Sequence, residues 1–203
     1  LQLIGGDTCR GNLSISIQIA GLVPVARFVT RAGGRAGDLL LVSGVLGNAG
    51  LGLAYQQGRV ELPDDLRLRS LQALNRPQPR LELVEFLRNF ASAAIDVSDG
   101  LQGDLAHILD ASHCGARIDR AALPVDPWIE QHNLYQYALG AGDDYEICCS
   151  VPQKYRAEVE SWNRQHADCY LTQIGELTDA GYTLQVGNQQ VDLATSGGFR
   201  HFD

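Results

Sequence analysis

Lysine is almost absent from this sequence. Lysine and arginine together account for 16 of the 203 residues, and Lys154 is the only lysine. A phosphate-binding loop of the Walker type needs a lysine directly after a glycine-rich turn, whereas Lys154 lies in VPQKYRAEVE, with no such turn before it. The sequence therefore excludes a Walker loop, and a phosphate bound here would need arginine, backbone amides or a metal ion.

A basic face and a long apolar run are also missing. The formal net charge is −8. Because duplex nucleic acid is a polyanion that requires a basic surface, we expect no nucleic-acid partner. No stretch approaches the roughly 18–20 apolar residues that span a membrane. No signal peptide is visible either, so we expect a cytoplasmic protein without a membrane partner.

Two further gaps concern sulfur. The five cysteines form no C-x-x-C pair and do not have the spacing of zinc ligands. This indicates a protein of a reducing compartment, in which the thiols act as small core residues. Methionine is absent, and the sequence begins at Leu1, directly on the apolar stretch LQLIGGDT. We interpret the chain as a fragment whose N-terminal part is absent.

Apolar patterns of two periods alternate along the chain. Residues 13–19 (LSISIQI) alternate strictly between apolar and polar side chains and predict a half-buried strand. Residues 80–92 carry an apolar stripe at i, i+3 and i+4 spacing and predict a helix, as do residues 101–112 and 128–139. Strands and helices continue to alternate up to a closing hairpin. This order predicts an α+β fold, a mixed β-sheet covered by helices.

Three groups of carboxylates lie where predicted strands pass into loops that contain glycine. They are Asp7 in GGDT, Asp96 and Asp99 in IDVSDG, and Asp143 and Asp144 in GAGDDYE. Catalytic side chains favour such strand ends, and the glycines allow a ligand to approach the backbone. Hard oxygen ligands of this kind suit Mg²⁺, which binds one or two carboxylates together with water and substrate phosphates.

Each group also has an ordinary structural interpretation. Asp99 with Gln102 could form a capping box at the start of a helix, Asp7 could make an Asx-turn, and the adjacent aspartates of GAGDDYE could be a solvated turn. Asp96 is harder to explain in this way, because it interrupts an apolar strand where an unpaired buried carboxylate would be costly.

Other side chains are open to both kinds of interpretation. Arg31, beside glycines in TRAGGRAGD, can bind a phosphate or pair with a surface acid. Asp104 and His107 fit an i, i+3 surface pair on a helix better than a metal site. Phe199, in the closing GGFRHFD, is either a core anchor or a platform for a flat ligand.

The motifs are more specific together than singly. In chain order they are LIGGDTCRGNLSIS, TRAGGRAGD, AAIDVSDGLQGDLAHI, GARIDRAALP, GAGDDYEICCSVP and GGFRHF. In this order they resemble the thiamine-monophosphate kinases, of the aminoimidazole-ribonucleotide-synthetase-like ATP-binding superfamily, over essentially the whole chain. The resemblance implies ATP- and Mg²⁺-dependent phosphorylation of thiamine monophosphate to thiamine diphosphate. It also implies the fold of that superfamily's C-terminal domain, preceded by the last strand of its N-terminal domain.

The resemblance assigns roles to individual residues. The implied ATP contacts are Gly6, Asp7, Arg31 and Ser98, and the implied Mg²⁺ ligands are Asp7, Asp96 and Asp99. Asp143 falls where the family has a glutamate that contacts thiamine, and Phe199 would stack on or enclose that substrate. This sequence departs from the family pattern at two positions, since Asp143 is one methylene shorter than the glutamate and Ala141 replaces a glycine.

Domain organisation also follows from the resemblance. Residues 1–24 correspond to a remnant of the N-terminal ATP- and Mg²⁺-binding domain, and residues 25–203 to the C-terminal α/β domain. The absent domain supplies further aspartates and a dimer interface in the family, which implies a homodimeric full-length protein and little activity for this chain alone. Two alternatives remain open: another ATP-using synthetase of the superfamily, of selenophosphate or purine-pathway type, or a non-catalytic ligand-binding fragment.

Overall fold

A seven-stranded mixed sheet lies at the centre of the computed structural model, which describes residues 2–193. The strands are β1 (Leu39–Ser43), β2 (Ala93–Val97), β3 (Gly115–Asp119), β4 (Glu146–Val151), β5 (Leu171–Thr178), β6 (Tyr182–Val186) and β7 (Gln189–Asp192). Their order across the sheet is β2-β4-β1-β5-β3-β6-β7. Neighbouring strands are antiparallel except β3 and β6, which are parallel. The predicted mixed sheet is confirmed.

Helices cover both faces of this sheet. They are α1 (Asn48–Gln56), α2 (Asp64–Asn75), α3 (Val84–Phe90), α4 (Leu101–Ser112), α5 (Pro127–Gln131), α6 (Gln136–Gly140) and α7 (Arg156–Gln165). One core cluster joins the sheet to α4 and α6, and a second joins its opposite face to α3 and α7. A small third cluster links α1, α2 and α5. None of the helices in residues 2–193 combines the length and the apolarity needed to cross a membrane.

Strand β1 shows why the sequence folds in this way. All five of its residues are buried. Leu40 and Val42 belong to the core cluster on one face, while Leu39 and Leu41 belong to the cluster on the other. A strand covered on both faces loses the apolar–polar alternation of a half-exposed strand and becomes a continuous apolar run. Its central position in the sheet follows from that run.

Two sequence-based predictions of secondary structure are wrong. Residues 13–19 form no strand, and Leu13, Ile15, Ile17 and Ile19 are 94%, 80%, 83% and 74% exposed. An alternating segment becomes a strand only beside a partner that satisfies its backbone, and no described residue pairs with this one. The single helix predicted over residues 128–139 is two short helices, because the chain turns between them at Asn133, whose φ is 53°.

Candidate metal and substrate site at one edge of the sheet

Three loops meet at one edge of the sheet because of the strand register. Val97, the last residue of β2, pairs with Glu146, the first residue of β4. On the other side of β4, Val42 near the end of β1 pairs with Cys148. The loop after β2, the loop after β1 and the loop before β4 therefore lie side by side. We use the name acidic edge for the carboxylates of these loops and of the end of β2, which are Asp96, Asp99, Asp143 and Asp144.

Backbone hydrogen bonds fix the two acidic loops to each other. The Asp143 amide donates to the Ser98 carbonyl over 2.8 Å, and the Tyr145 amide donates to the Val97 carbonyl over 2.8 Å. A Cβ added at Gly142 would lie 2.5 Å from the Ser98 oxygen, and its φ of 74° also favours glycine. The predicted candidate residues Ser98, Asp99 and Asp143 are thus neighbours in the structure.

Asp96 faces solvent at the end of an otherwise buried strand. Its neighbours Ile95 and Val97 are buried in the core cluster that contains α4, whereas Asp96 is exposed on the opposite side of β2. The cost of burying a lone carboxylate does not arise at this position. The Asp96 carboxylate is therefore accessible at this edge of the sheet.

Asp104 has a different role from the one that its sequence position suggests. It is 3% exposed, and its Oδ2 accepts the Ser98 amide at 2.8 Å and the Asp99 amide at 2.9 Å. Burial raises the pKa of Asp104, while those two amide hydrogen bonds oppose the rise. The predicted surface pair with His107 is wrong, because His107 is exposed and Asp104 turns inward to the loop before α4.

Asp144 also points inward, toward the start of α1. Its carboxylate accepts the Gly47 amide at 2.8 Å and the Ala49 amide at 3.4 Å. Burial raises its pKa to about 7, although these hydrogen bonds favour the charged form. The solvated-turn interpretation is therefore wrong for Asp144, which binds the helix N-terminus across 97 residues of sequence.

Sequence reasoning missed a buried ion pair beneath the same loops. The Arg80 guanidinium binds both carboxylate oxygens of Glu146, with Nε 2.7 Å from Oε2. The Ser43 hydroxyl donates to Oε2 at 2.5 Å and accepts the Ile147 amide at 2.9 Å. Arg80 and Glu146 are separated by 66 residues, so no local sequence signal could have paired them.

A cavity of about 400 Å³ with a mixed polar and apolar lining opens beside the acidic edge. Its lining includes Arg69 and Arg76 from the α2 region, together with Asn48 and Asp144. The Asn48 Oδ1 atom is buried and makes no hydrogen bond with the described residues. The lining thus carries charges of both signs, and the Arg69 guanidinium is paired with the Asp126 carboxylate at 2.9 Å.

The remaining predicted residues are not gathered at this edge. Gly6 and Asp7 lie in the exposed N-terminal segment, where the Asp7 Oδ1 accepts the Thr8 amide at 2.7 Å. The Arg31 side chain is exposed, and Phe199 lies outside the described residues.

No metal-binding group of three or more His, Cys, Asp or Glu side chains is assembled within residues 2–193. The predicted ligand set of Asp7, Asp96 and Asp99 therefore stays a prediction.

Comparison with known proteins identifies relatives over most of the chain. Residues 35–187 match the family model described as AIR synthase related protein, C-terminal domain. The chain is 42% identical to the thiamine-monophosphate kinase of Escherichia coli over 183 residues, which are 88% of this chain and 56% of that protein. The chain thus spans little more than half the length of this curated relative.

Solved structures give the same result. The crystal structure of thiamine-monophosphate kinase from Stenotrophomonas maltophilia matches with a TM-score of 0.72 and 34% identity, covering 80% of this chain and 54% of that one. A structure described as AaThiL complexed with AMPPCP and TMP matches with a TM-score of 0.66 and 30% identity, covering 81% and 53%.

Proposed function

Because the chain belongs to the AIR synthase related protein family, we propose that it is the C-terminal part of an ATP-dependent kinase. The reaction is the phosphorylation of thiamine monophosphate to thiamine diphosphate. Two findings support this reaction. The chain shares 42% and 34% of its aligned residues with two thiamine-monophosphate kinases. It also matches the structure of AaThiL, which was solved with TMP and with AMPPCP, an analogue of ATP. The residues that carry the proposal are those of the acidic edge.

The main structural observation is the shared position of the two acidic loops. The Ser98 carbonyl binds the Asp143 amide, so that the loop carrying the candidate metal ligands and the loop carrying the candidate substrate contact are held together. Phosphoryl transfer depends mainly on positioning of the two reactants and on neutralisation of charge. The hydrogen bond between these loops would serve the first of these requirements.

The donor set of the loop after β2 fits Mg²⁺. Asp96 and Asp99 offer two carboxylates, and Mg²⁺ uses one or two carboxylates, completing its shell with water and phosphate oxygens. Asp7 would add a third carboxylate from the N-terminal segment. Bound Mg²⁺ would neutralise the negative charge of the phosphate oxygens. Ser98, Gly6 and Arg31 would hold the nucleotide itself.

Asp143 would contact thiamine monophosphate. Thiamine carries a permanent positive charge on its thiazolium ring, which a carboxylate complements. The loop hydrogen bonds place Asp143 beside Ser98, on the side where the phosphate donor would be bound. Phe199 would stack on the substrate or enclose it.

The domain division follows the same proposal. Residues 1–24 would complete an upstream ATP- and Mg²⁺-binding domain, and residues 25–203 would form the C-terminal domain. The exposed alternating face of residues 13–19 supports this division, because such a segment needs a neighbouring strand. The full-length protein would be a cytoplasmic homodimer that binds no nucleic acid.

The proposal is tested by a kinase assay on the full-length protein with thiamine monophosphate and Mg-ATP. Asp96→Asn should lower kcat/KM by about 10²-fold or more, because one charged metal ligand is removed. The matched control is Asp110→Asn, which makes the same change at an exposed position on α4 and should leave activity unchanged.

The 203-residue chain alone should show little turnover. Full turnover by this chain, or no phosphorylation of thiamine monophosphate by the full-length protein, would contradict the proposal.

A further inference from the structure

Asp104 is a buried carboxylate whose hydrogen bonds serve a loop rather than its own helix. It lies in the first turn of α4, yet the two amides that it accepts belong to Ser98 and Asp99, which precede the helix. Both amides bind the same oxygen, Oδ2. The peptide between Ser98 and Asp99 is therefore fixed in orientation by one side chain.

The same turn is fixed from its other side. The Ser98 carbonyl accepts the Asp143 amide at 2.8 Å, and Gly142 packs so closely that no Cβ fits. With its amides bound to Asp104 and its carbonyl bound to Asp143, the turn has one backbone conformation. Ser98 and Asp99, the candidate ligands of this turn, are both partly exposed.

Asp104 does not take the position of an ordinary helix cap. A side chain that caps a helix lies just before the first turn, whereas Asp104 lies within the first turn of α4 and is 3% exposed. Its Oδ2 accepts two successive amides of the preceding turn. A carboxylate at this position is therefore best explained by the geometry that it imposes on that turn.

We propose that Asp104 is a positioning residue for the magnesium–nucleotide complex, acting by holding the Ser98–Asp99 turn in its ligand-binding conformation. This rests on the proposed function, since it takes Asp96, Ser98 and Asp99 as the groups that meet the ligand. Asp104 itself touches neither the metal nor the nucleotide. In many metal sites, hydrogen-bond partners orient the side chains that bind the metal. Asp104 would do the same for the backbone of a metal-binding loop.

Two substitutions separate geometry from charge. Asp104→Glu keeps the charge but moves the oxygens by one methylene, whereas Asp104→Asn removes the charge and keeps an oxygen where Oδ2 accepts the two amides. The control is Asp110→Asn, at the exposed position further along α4. The measurements use the full-length protein: calorimetric titration with Mg-AMPPCP, and hydrogen–deuterium exchange of the peptide spanning residues 93–105.

We expect Asp104→Glu to weaken Mg-AMPPCP binding by about 10–100-fold, the usual effect of removing an outer hydrogen-bond partner. The Ser98 and Asp99 amides should exchange faster in this variant even without ligand. Asp104→Asn should stay within about threefold of wild type with both amides protected, since a neutral acceptor is weaker but correctly placed. Asp110→Asn should change neither quantity.

Other results overturn the inference. If Asp104→Glu binds Mg-AMPPCP as tightly as the wild type, the position of the oxygens does not matter. If Asp104→Asn loses affinity tenfold while both amides stay protected, the charge of residue 104 matters and the position does not explain its role. If Asp104→Glu does not fold, Asp104→Ala takes its place, because it removes both hydrogen bonds to the turn; Mg-AMPPCP affinity equal to that of the wild type in Asp104→Ala would overturn the inference. Absence of Mg-AMPPCP binding by the wild type would refute the proposed function, and the positioning role with it; binding retained by Asp104→Glu would refute the positioning role only.

Discussion

The buried ion pair between Arg80 and Glu146 offers a quantitative test of what holds the acidic edge in place. The side chains are 18% and 7% exposed, and the guanidinium binds both carboxylate oxygens. Ser43 adds a third hydrogen bond to the same carboxylate. The perturbation is Arg80→Met, which keeps an unbranched apolar stem and removes the charged group.

The expected loss of stability comes from the charge that remains. Removing one partner of a buried pair costs about 3–5 kcal/mol, because the other charge stays buried without compensation. We expect about 3 kcal/mol here, at the lower end, since part of the Arg80 side chain reaches solvent. For a chain of this size that corresponds to a decrease in Tm of about 6–12 °C.

The double variant Arg80→Met/Glu146→Met should recover most of this loss. No charge is then left buried, and replacement of buried ion pairs by apolar residues is often close to neutral. The Ser43 hydroxyl alone loses its acceptor, at a cost of about 1 kcal/mol. The double variant should therefore be more stable than Arg80→Met, although it carries one more substitution.

Urea unfolding of the wild type and the variants measures these free energies. The control is Arg117→Met, which removes the partner of Glu176 in an exposed ion pair. Its side chains are 55% and 44% exposed, so the loss should be less than about 1 kcal/mol. The reasoning fails if Arg80→Met costs no more than Arg117→Met. It also fails if the double variant is less stable than Arg80→Met alone.

Two further predictions concern Asp144 and Gly52. Burial raises the Asp144 pKa from its ordinary 3.8 to about 7, so the unfolded chain ionises first as pH rises. Between pH 3.8 and about pH 7 the folded protein holds a proton that the unfolded chain has lost. The unfolding free energy of the wild type, compared with that of Asp144→Asn, should therefore fall as pH rises through this range, by at most about 1.4 kcal/mol per pH unit. Urea unfolding at pH 5 and pH 7 checks this, and a constant difference would contradict it. Gly52→Ala places a Cβ 2.5 Å from the Ser70 carbonyl oxygen and should cost about 1–3 kcal/mol, while Gly140→Ala, with nothing within 4 Å, should not lower Tm in thermal unfolding.

The sequence was most informative where local pattern and tertiary environment agree. The amphipathic patterns of residues 80–92 and 101–112 predicted helices that the structure contains as α3 and α4. It was least informative for residues 13–19, whose alternation is as regular as that of any strand. The alternation indicates only which face of a segment could be buried. A strand also needs a hydrogen-bonded partner strand, and none of the described residues pairs with residues 13–19.

The candidate site shows the same limit in its side chains. Motif spacing drew attention to two acidic loops, and the structure brings these loops together at one edge of the sheet. It could not tell that Asp104 binds amides before its own helix, or that Asp144 reaches the start of α1. Spacing on a helix predicts which side chains are neighbours on its surface, whereas these two carboxylates are fixed by contacts with other segments.

Each of the two acidic motifs contains candidate ligands and, in addition, carboxylates that bind groups of the protein itself. In IDVSDGLQGD, Asp96 faces solvent while Asp104 turns inward to bind the amides of its own loop. In GDDYE, Asp144 and Glu146 bind inward, to the start of α1 and to Arg80, and the same segment carries the candidate ligand Asp143. Each motif thus combines candidate ligands with buried carboxylates that fix the loop.

A loss of activity on substitution therefore has two possible origins in either motif. Substituting an inward carboxylate should change unfolding free energy and ligand affinity together, because it releases the loop. Substituting the exposed Asp96 should change affinity for the magnesium–nucleotide complex with stability unaltered, because that side chain contributes little to the fold. Measuring both quantities for each aspartate separates the residues that would bind the ligand from those that position them.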